Sequence, residues 1–295
     1  MSDRSDIAYK WNSRKIKDIL WYGLIYLSAA FSVILLLGII IYVFIKGAPS
    51  ISWRFLTGVT SVLKGTVGIA GNVVNTLLII LITMLFATPI GVGAAIYLNE
   101  YAKPGKLVNL IEFTTEILSG IPSIIFGLFG MMFFGQTLGL GYSLITGSLT
   151  LILMVLPLIT RNTQEALKTV PKSYREGAVG LGAGKWYTIR TILLPSSMPG
   201  IITGVILAIG RIVGESAALL FTAGSAKVLP KSLAGLFSKI FHSGGTMTVQ
   251  LYLSATSEGD FDTAFGIALV LLVLVLLINL GTKKLANKFD VTKKK

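Results

Sequence analysis

The sequence contains no cysteine, which excludes a disulfide framework and any thiolate metal site and says nothing of the redox compartment. Its one histidine, His242, has no second imidazole to complete a metal site and reads as a solvated loop side chain. No Gly-x-x-x-x-Gly-Lys-Ser/Thr run is present, so the chain has no loop of its own for cradling nucleotide phosphates. Charge is scarce too: 13% of residues are Asp, Glu, Lys or Arg, against about 25% in an average soluble domain. No internal repeat is visible, which withholds support from the inverted-repeat plan of many secondary transporters.

What fills the chain instead is apolar, with 53% hydrophobic residues. The run from Ile19 to Ile45 carries no charge, and it exceeds the roughly 20 residues that cross a bilayer as a helix. It also exceeds the core of a secretory signal, and Lys46-Gly47-Ala48-Pro49 is a poor cleavage context, so it reads as a retained anchor. Apolar runs between polar breaks predict an all-α integral membrane fold with six transmembrane helices: Ile19 to Ile45, Val73 to Leu98, Leu107 to Phe134, Tyr142 to Ile159, Met198 to Phe221 and Phe261 to Leu280. The third is the least regular, interrupted by Gly120, Pro122, Gly127 and Gly130, a tolerable pattern where neighbouring helices satisfy the freed backbone groups.

The net charge of +13 does not point to nucleic acid, because no water-facing basic module exists to receive it. Membrane topology accounts for it. Of the basic residues, 19 fall before the first span, after the last, or in the second and fourth connections, and 6 fall in the three opposite loops. Lysine and arginine mark the cytoplasmic side, so both termini are expected there, in a plasma (inner) membrane. The chain then divides into a cytoplasmic segment 1–18, a permease domain 19–282 with a cytoplasmic loop 161–195, and a basic tail 283–295 whose terminal lysines suit lipid headgroups. The stretch from Arg161 to Pro195 is too polar to span and too apolar to be free coil, which predicts a docked helical element. The outside stretch from Ala223 to Asp260 holds short apolar pieces that predict interfacial helices or a cap over the pore.

Within the docked loop stand Glu176-Gly177-Ala178, three residues, Gly182, nine residues, and Ile192-Leu193-Leu194-Pro195. Gly182 and Gly184 would permit a sharp turn between two short helices, and Trp186, Ile189, Ile192 and Leu193 recur on one helical face. This spacing resembles the Glu-Ala-Ala loop of binding-protein-dependent ABC importer permeases, departing from it at Gly177, where alanine is usual. The resemblance implies the type I ABC importer permease fold and a loop that sits in a groove of an ATPase subunit. Glu176, Gly177, Ala178 and Gly182 would couple, and Ile192, Leu194 and Pro195 would join the loop to the fifth span. ATP would be bound by the partner, with no cofactor on this chain. The alternative for the loop is an ordinary amphipathic element on the membrane surface.

The fifth span carries Arg211 and Glu215, four residues apart, which predicts a pair on one helix face inside the membrane. Ionised groups there cost several kcal/mol and normally face a bundle interior or water. Arginine donates two parallel hydrogen bonds and suits a tetrahedral oxyanion, so Arg211 and Glu215 are candidate translocation-path residues; the alternative is an ion pair that only locks helices together. Gly200 with Gly204, and Gly210 with Gly214, predict close helix packing. Glu112 and Glu116 would repel an anion and predict a packing or basic-partner role.

Residues 91–101, 120–130 and 211–217, with Thr248 to Tyr252, resemble phosphate permeases, and the last of these the PstA type rather than its PstC partner. That resemblance implies a complex with a PstC-type permease, two PstB-type ATPases, an extracytoplasmic phosphate-binding protein and membrane lipid. Another oxyanion, such as sulfate, molybdate or tungstate, is the alternative cargo, and an ATP-independent transporter the alternative class.

Overall fold

In the computed structural model of the chain, residues 3–61, 66–230 and 232–289 are described. The helices are α1 (Asp3–Gly47), α2 (Trp53–Thr57), α3 (Ala70–Ile96), α4 (Lys106–Gly120), α5 (Ser123–Gly130), α6 (Leu144–Lys168), α7 (Lys172–Gly180), α8 (Lys185–Thr188), α9 (Leu194–Gly214), α10 (Ala217–Thr222), α11 (Leu233–Lys239), α12 (Met247–Thr256) and α13 (Phe261–Phe289). Three π-helical turns, Tyr97–Tyr101, Met131–Thr137 and Ile189–Leu193, extend α3 and α5 and lead into α9. A short antiparallel hairpin, Val59–Ser61 with Thr66–Ile69, leads from α2 into α3.

Five helical runs are long and apolar enough to cross a bilayer: Lys17–Ser50, Ala70–Tyr101, Leu144–Lys168, Lys185–Gly214 and Phe261–Lys284. The bent pair Lys106–Gly120 and Ser123–Thr137 makes the sixth crossing when counted as one. The third predicted span is thus an elbow of 103° rather than a single helix. The break itself is local: Pro122 disfavours helical geometry at its neighbour, and Ile121 is extended at φ −72°, ψ 131°.

The most apolar window of α6 is 67% buried whereas that of α1 is not buried at all, so α6 is the centre of the bundle and α1 its outermost layer. Ile79, Ala87, Leu151, Val155, Ile159, Ala208 and Ile212 from α3, α6 and α9 form the main core. A second core of Ile69, Val213, Met247, Ile267 and Leu271 seats α13. Along α1, Tyr42 meets Phe265 edge to face at 5.5 Å, while most other large side chains lie open, as suits a helix solvated by lipid. Gly200 and Gly204 do pack closely: a Cβ there would stand 2.5 Å and 2.6 Å from the Cβ atoms of Ala166 and Asn162 on α6. Gly210 and Gly214 do not, since a Cβ at either meets nothing within 4 Å.

The stretch after α10 folds into the end of the bundle instead of lying on it. The α3 amides Asn72 and Asn75 donate to the Gly245 carbonyl at 2.9 and 3.0 Å. The α12 residues Met247, Val249, Gln250 and Ser254 are buried. Away from water, such amide-to-carbonyl bonds occupy acceptors that an irregular segment would otherwise leave unpaired. At the far end α13 continues to Phe289, so the expected tail from 283 begins as helix, and residues 290–295, with three of its lysines, lie outside the described residues.

Candidate coupling loop and translocation face

Helix α6 runs on to Lys168, and a second helical run begins at Lys185, so the loop expected from Arg161 to Pro195 narrows to residues 169–184. Within it α7 ends on a turn closed by Gly182 N–H to Val179 O at 2.9 Å and Ala183 N–H to Ala178 O at 2.9 Å. Gly182 adopts φ +80°, a left-handed conformation that favours glycine. Gly184 is an ordinary extended residue at φ −66°, and at neither position would a Cβ meet anything within 4 Å. The turn therefore needs glycine at 182 for backbone reasons, and at 184 needs none.

The tip points its apolar residues outward. Leu181 is 90% exposed, and Val179, Tyr174, Trp186 and Tyr187 are exposed with it, whereas Ala178 is buried. Glu176 and Gly177 also lie on the open surface. Trp186 thus parts from the apolar face it was expected to share with Ile189, Ile192 and Leu193. Ile189 and Leu193 keep to that face and are buried with Ile96, Leu167 and Val170 in a small core beneath the loop, with Leu194 packed against it.

Helix continues through Pro195 rather than stopping there, so α8, the π turn and α9 form one run, Lys185–Gly214. Proline removes a donor and crowds the preceding turn. The wider π ladder at Ile189–Leu193 lies in the turn that Pro195 would crowd, with Leu194 between them. Ile192, Leu194 and Pro195 accordingly sit in the junction between loop and fifth span.

One side chain that the sequence did not single out binds three elements together. Arg175 of α7 donates through Nη2 to Glu100 Oε1 at 2.8 Å and to Leu167 O at 3.1 Å, and through Nη1 to Val170 O at 3.4 Å. Glu100 belongs to the π turn that ends α3, and Asn99 Nδ2 also donates to its Oε1 at 2.7 Å. Lys185 Nζ stands 4.7 Å over the ring of Tyr101 in the same turn. The only sequence signal was Asn99-Glu100-Tyr101 at the end of a span, with no pointer to residue 175.

Arg211 and Glu215 do not form the predicted pair. Helix α9 ends at Gly214, and Glu215 is extended at φ −81°, ψ 123°, so the four-residue spacing no longer puts both on one helix face. Glu215 Oε1 instead accepts the Ala218 N–H of α10 at 3.0 Å, and Glu215 O accepts the Thr248 hydroxyl at 2.9 Å. A carboxylate is favoured at a helix start, where free N–H groups point outward. Among the described residues Arg211 has no hydrogen bond or ion pair. Pro199, Thr203, Leu207, Gly210, Arg211 and Gly214 form one exposed stripe along α9, beside the Gly200 and Gly204 edge that packs on α6.

Glu116 does find a basic partner, Arg161 at 3.8 Å, but both are largely exposed and the pair stabilises little. His242 lines an open cavity of about 430 Å³ with Lys239, whose Nζ donates to Ser243 O at 2.9 Å. Among the described residues no group of three or more His, Asp or Glu is placed to hold a metal ion.

Residues 87–290 match the family described as binding-protein-dependent transport system inner membrane component. A probable ABC transporter permease protein of Bacillus subtilis, YqgI, is 38% identical over 285 residues, covering 93% of this chain and 97% of its own. The phosphate transport system permease protein PstA of Xylella fastidiosa is 32% identical over 240 residues, covering 81% of this chain and 82% of its own. Among solved structures, a bacterial alginate ABC transporter in complex with its alginate-bound periplasmic protein superposes with a TM-score of 0.69 at 16% identity, over 93% of this chain and 96% of that one. The hooked loop, the multi-pass bundle and these likenesses agree: the chain belongs to the inner-membrane permease family of binding-protein-dependent ABC transport systems.

Proposed function

We propose that this chain is the PstA-type permease subunit of an ATP-driven phosphate importer, forming half of the translocation path. The exposed apolar tip around Leu181 is the surface that enters the ATPase groove, with Glu176, Gly177, Ala178 and Gly182 as the coupling residues. Ile192, Leu194 and Pro195 pass its motion to α9. The basic loop and both termini lie in the cytoplasm, the tail meets lipid headgroups, and nucleotide stays on the partner. The remaining partners are a PstC-type permease, a PstB-type ATPase dimer and an extracytoplasmic phosphate-binding protein. Several PstA relatives support the phosphate assignment.

A single observation carries the path assignment: an arginine without a protein partner among the described residues, on an uncovered stripe of a membrane-spanning helix. Facing lipid, that cation would cost several kcal/mol. Facing water and a second permease, it is available to an oxyanion, while Glu215 shapes the end of its helix instead of neutralising it. The test is phosphate uptake by vesicles holding the whole complex. Uptake requires ATP, and Arg211→Ala lowers it by about ten- to a hundredfold, the worth of about one hydrogen bond to a charged group. Unchanged uptake removes Arg211 from the path; sulfate outcompeting phosphate reassigns the cargo; transport by the chain alone removes the ATPase.

A further inference from the structure

The loop is joined to α9 and α6 through the backbone. It has no such joint to α3, from which Arg175 is separated by 75 residues of chain. Yet both arms of the hook hold the last turn of α3: Arg175 from α7 grips Glu100 at 2.8 Å, and Lys185 from α8 covers the Tyr101 ring at 4.7 Å. The grip is sheltered, with the Arg175 and Glu100 side chains 27% and 10% exposed, so solvent screens it far less than a surface pair. It is also directional, because the guanidinium is fixed by the Leu167 and Val170 carbonyls while Asn99 fixes the carboxylate. The gripped turn is π-helical, as is the turn through which the loop enters α9. Ile96, next to the first, and Ile189 and Leu193, in the second, share one small core. Two spans therefore leave the same nodule beneath the loop through the same kind of loosened turn.

We infer that the Glu100–Arg175 ion pair is a second output of the loop, carrying its movement into α3 as well as α9, so that Glu100 and Arg175 are positioning residues for transport. The inference rests on the ATPase coupling proposed above. A simple staple predicts something else: breaking it would loosen the loop and shed the ATPase.

The experiment uses the whole complex in proteoliposomes, measuring ATP hydrolysed, phosphate imported and ATPase subunit retained in the same preparation. For Glu100→Gln the ATPase stays bound and hydrolyses ATP, while phosphate imported per ATP falls by about tenfold, a typical coupling between distant sites. The cysteine-free sequence then offers a rescue. Glu100→Cys with Arg175→Cys loses the same coupling as free thiols and recovers it when a short bifunctional maleimide bridges them. Unchanged phosphate per ATP in Glu100→Gln, loss of the ATPase subunit from that variant, or a bridge that restores nothing would each overturn the inference while leaving wild-type ATP-driven uptake intact. Wild-type uptake indifferent to ATP would overturn the coupling reading itself.

Discussion

Replacing Gly182 by alanine isolates the backbone of the hook from its surface. The residue sits at φ +80°, and an added Cβ would meet nothing within 4 Å, so the whole cost is conformational. A left-handed L-residue costs roughly 1–2 kcal/mol, which lowers the population of the correct turn about 5- to 30-fold. The turn is exposed and local, so this cost appears as weakened presentation of Leu181 and Val179 rather than as unfolding of the bundle. Affinity of the purified permease for the ATPase subunit proposed as its partner, read by titration in detergent, should fall by that factor. Gly182→Asn should lose less, since asparagine tolerates the conformation. Two neighbours are controls. Gly184→Ala, extended and unobstructed, should change nothing. Gly177→Ala lies within α7 with open space at its Cβ and should hold or tighten binding, because alanine favours helix by about 0.5–1 kcal/mol. Equal effects of alanine at 182 and 184 would refute the argument, for then the left-handed turn is not what presents the tip.

Other perturbations test the bundle and its ends. Gly204→Leu drives a side chain into Asn162 and should cost about 1–3 kcal/mol as a lower melting temperature, whereas Gly210→Ala and Gly214→Ala should hold or raise it. Arg211→Lys should retain part of the uptake that Arg211→Ala loses, with equal melting temperatures, because the residue makes no described contact to lose. Burial pushes the Glu258 carboxyl upward, but hydrogen bonds from Ser254, Lys227 and Gln250 and the charge of Lys227 outweigh it and hold the group below its usual value of 4.5. A depressed carboxylate contributes stability above the unfolded value that is lost as pH falls through the folded one, so melting temperature should drop on acidification below about 4.5 and Glu258→Gln should flatten that drop.

The turn of the loop was readable because its information is local, a glycine between two helical segments; its apolar face was readable only in part, since Ile189 and Leu193 are buried and Trp186 is open. The elbow was half readable. Gly120 and Pro122 marked the break, but an angle of 103° depends on what each half packs against, which no local pattern contains. Arg211 and Glu215 were misplaced relative to one another for a similar reason. The four-residue rule presumes helix throughout, and here the helix stops one residue early, where the α10 N–H of Ala218 and the Thr248 hydroxyl take up the glutamate. The Glu100–Arg175 contact was invisible because each partner looks like an unremarkable charge at the end of a helix, and only the folded chain brings them together.

The unbroken run Lys185–Gly214 has a geometrical consequence. A rise of about 1.5 Å per residue puts Arg211 about 38 Å along the rod from Trp186. A swing on the order of 15° about the tryptophan end would carry the arginine sideways by about 10 Å, nearly two helical turns. Under the coupling proposed above, a modest tilt at the loop would thereby be magnified into a much larger displacement deep in the membrane.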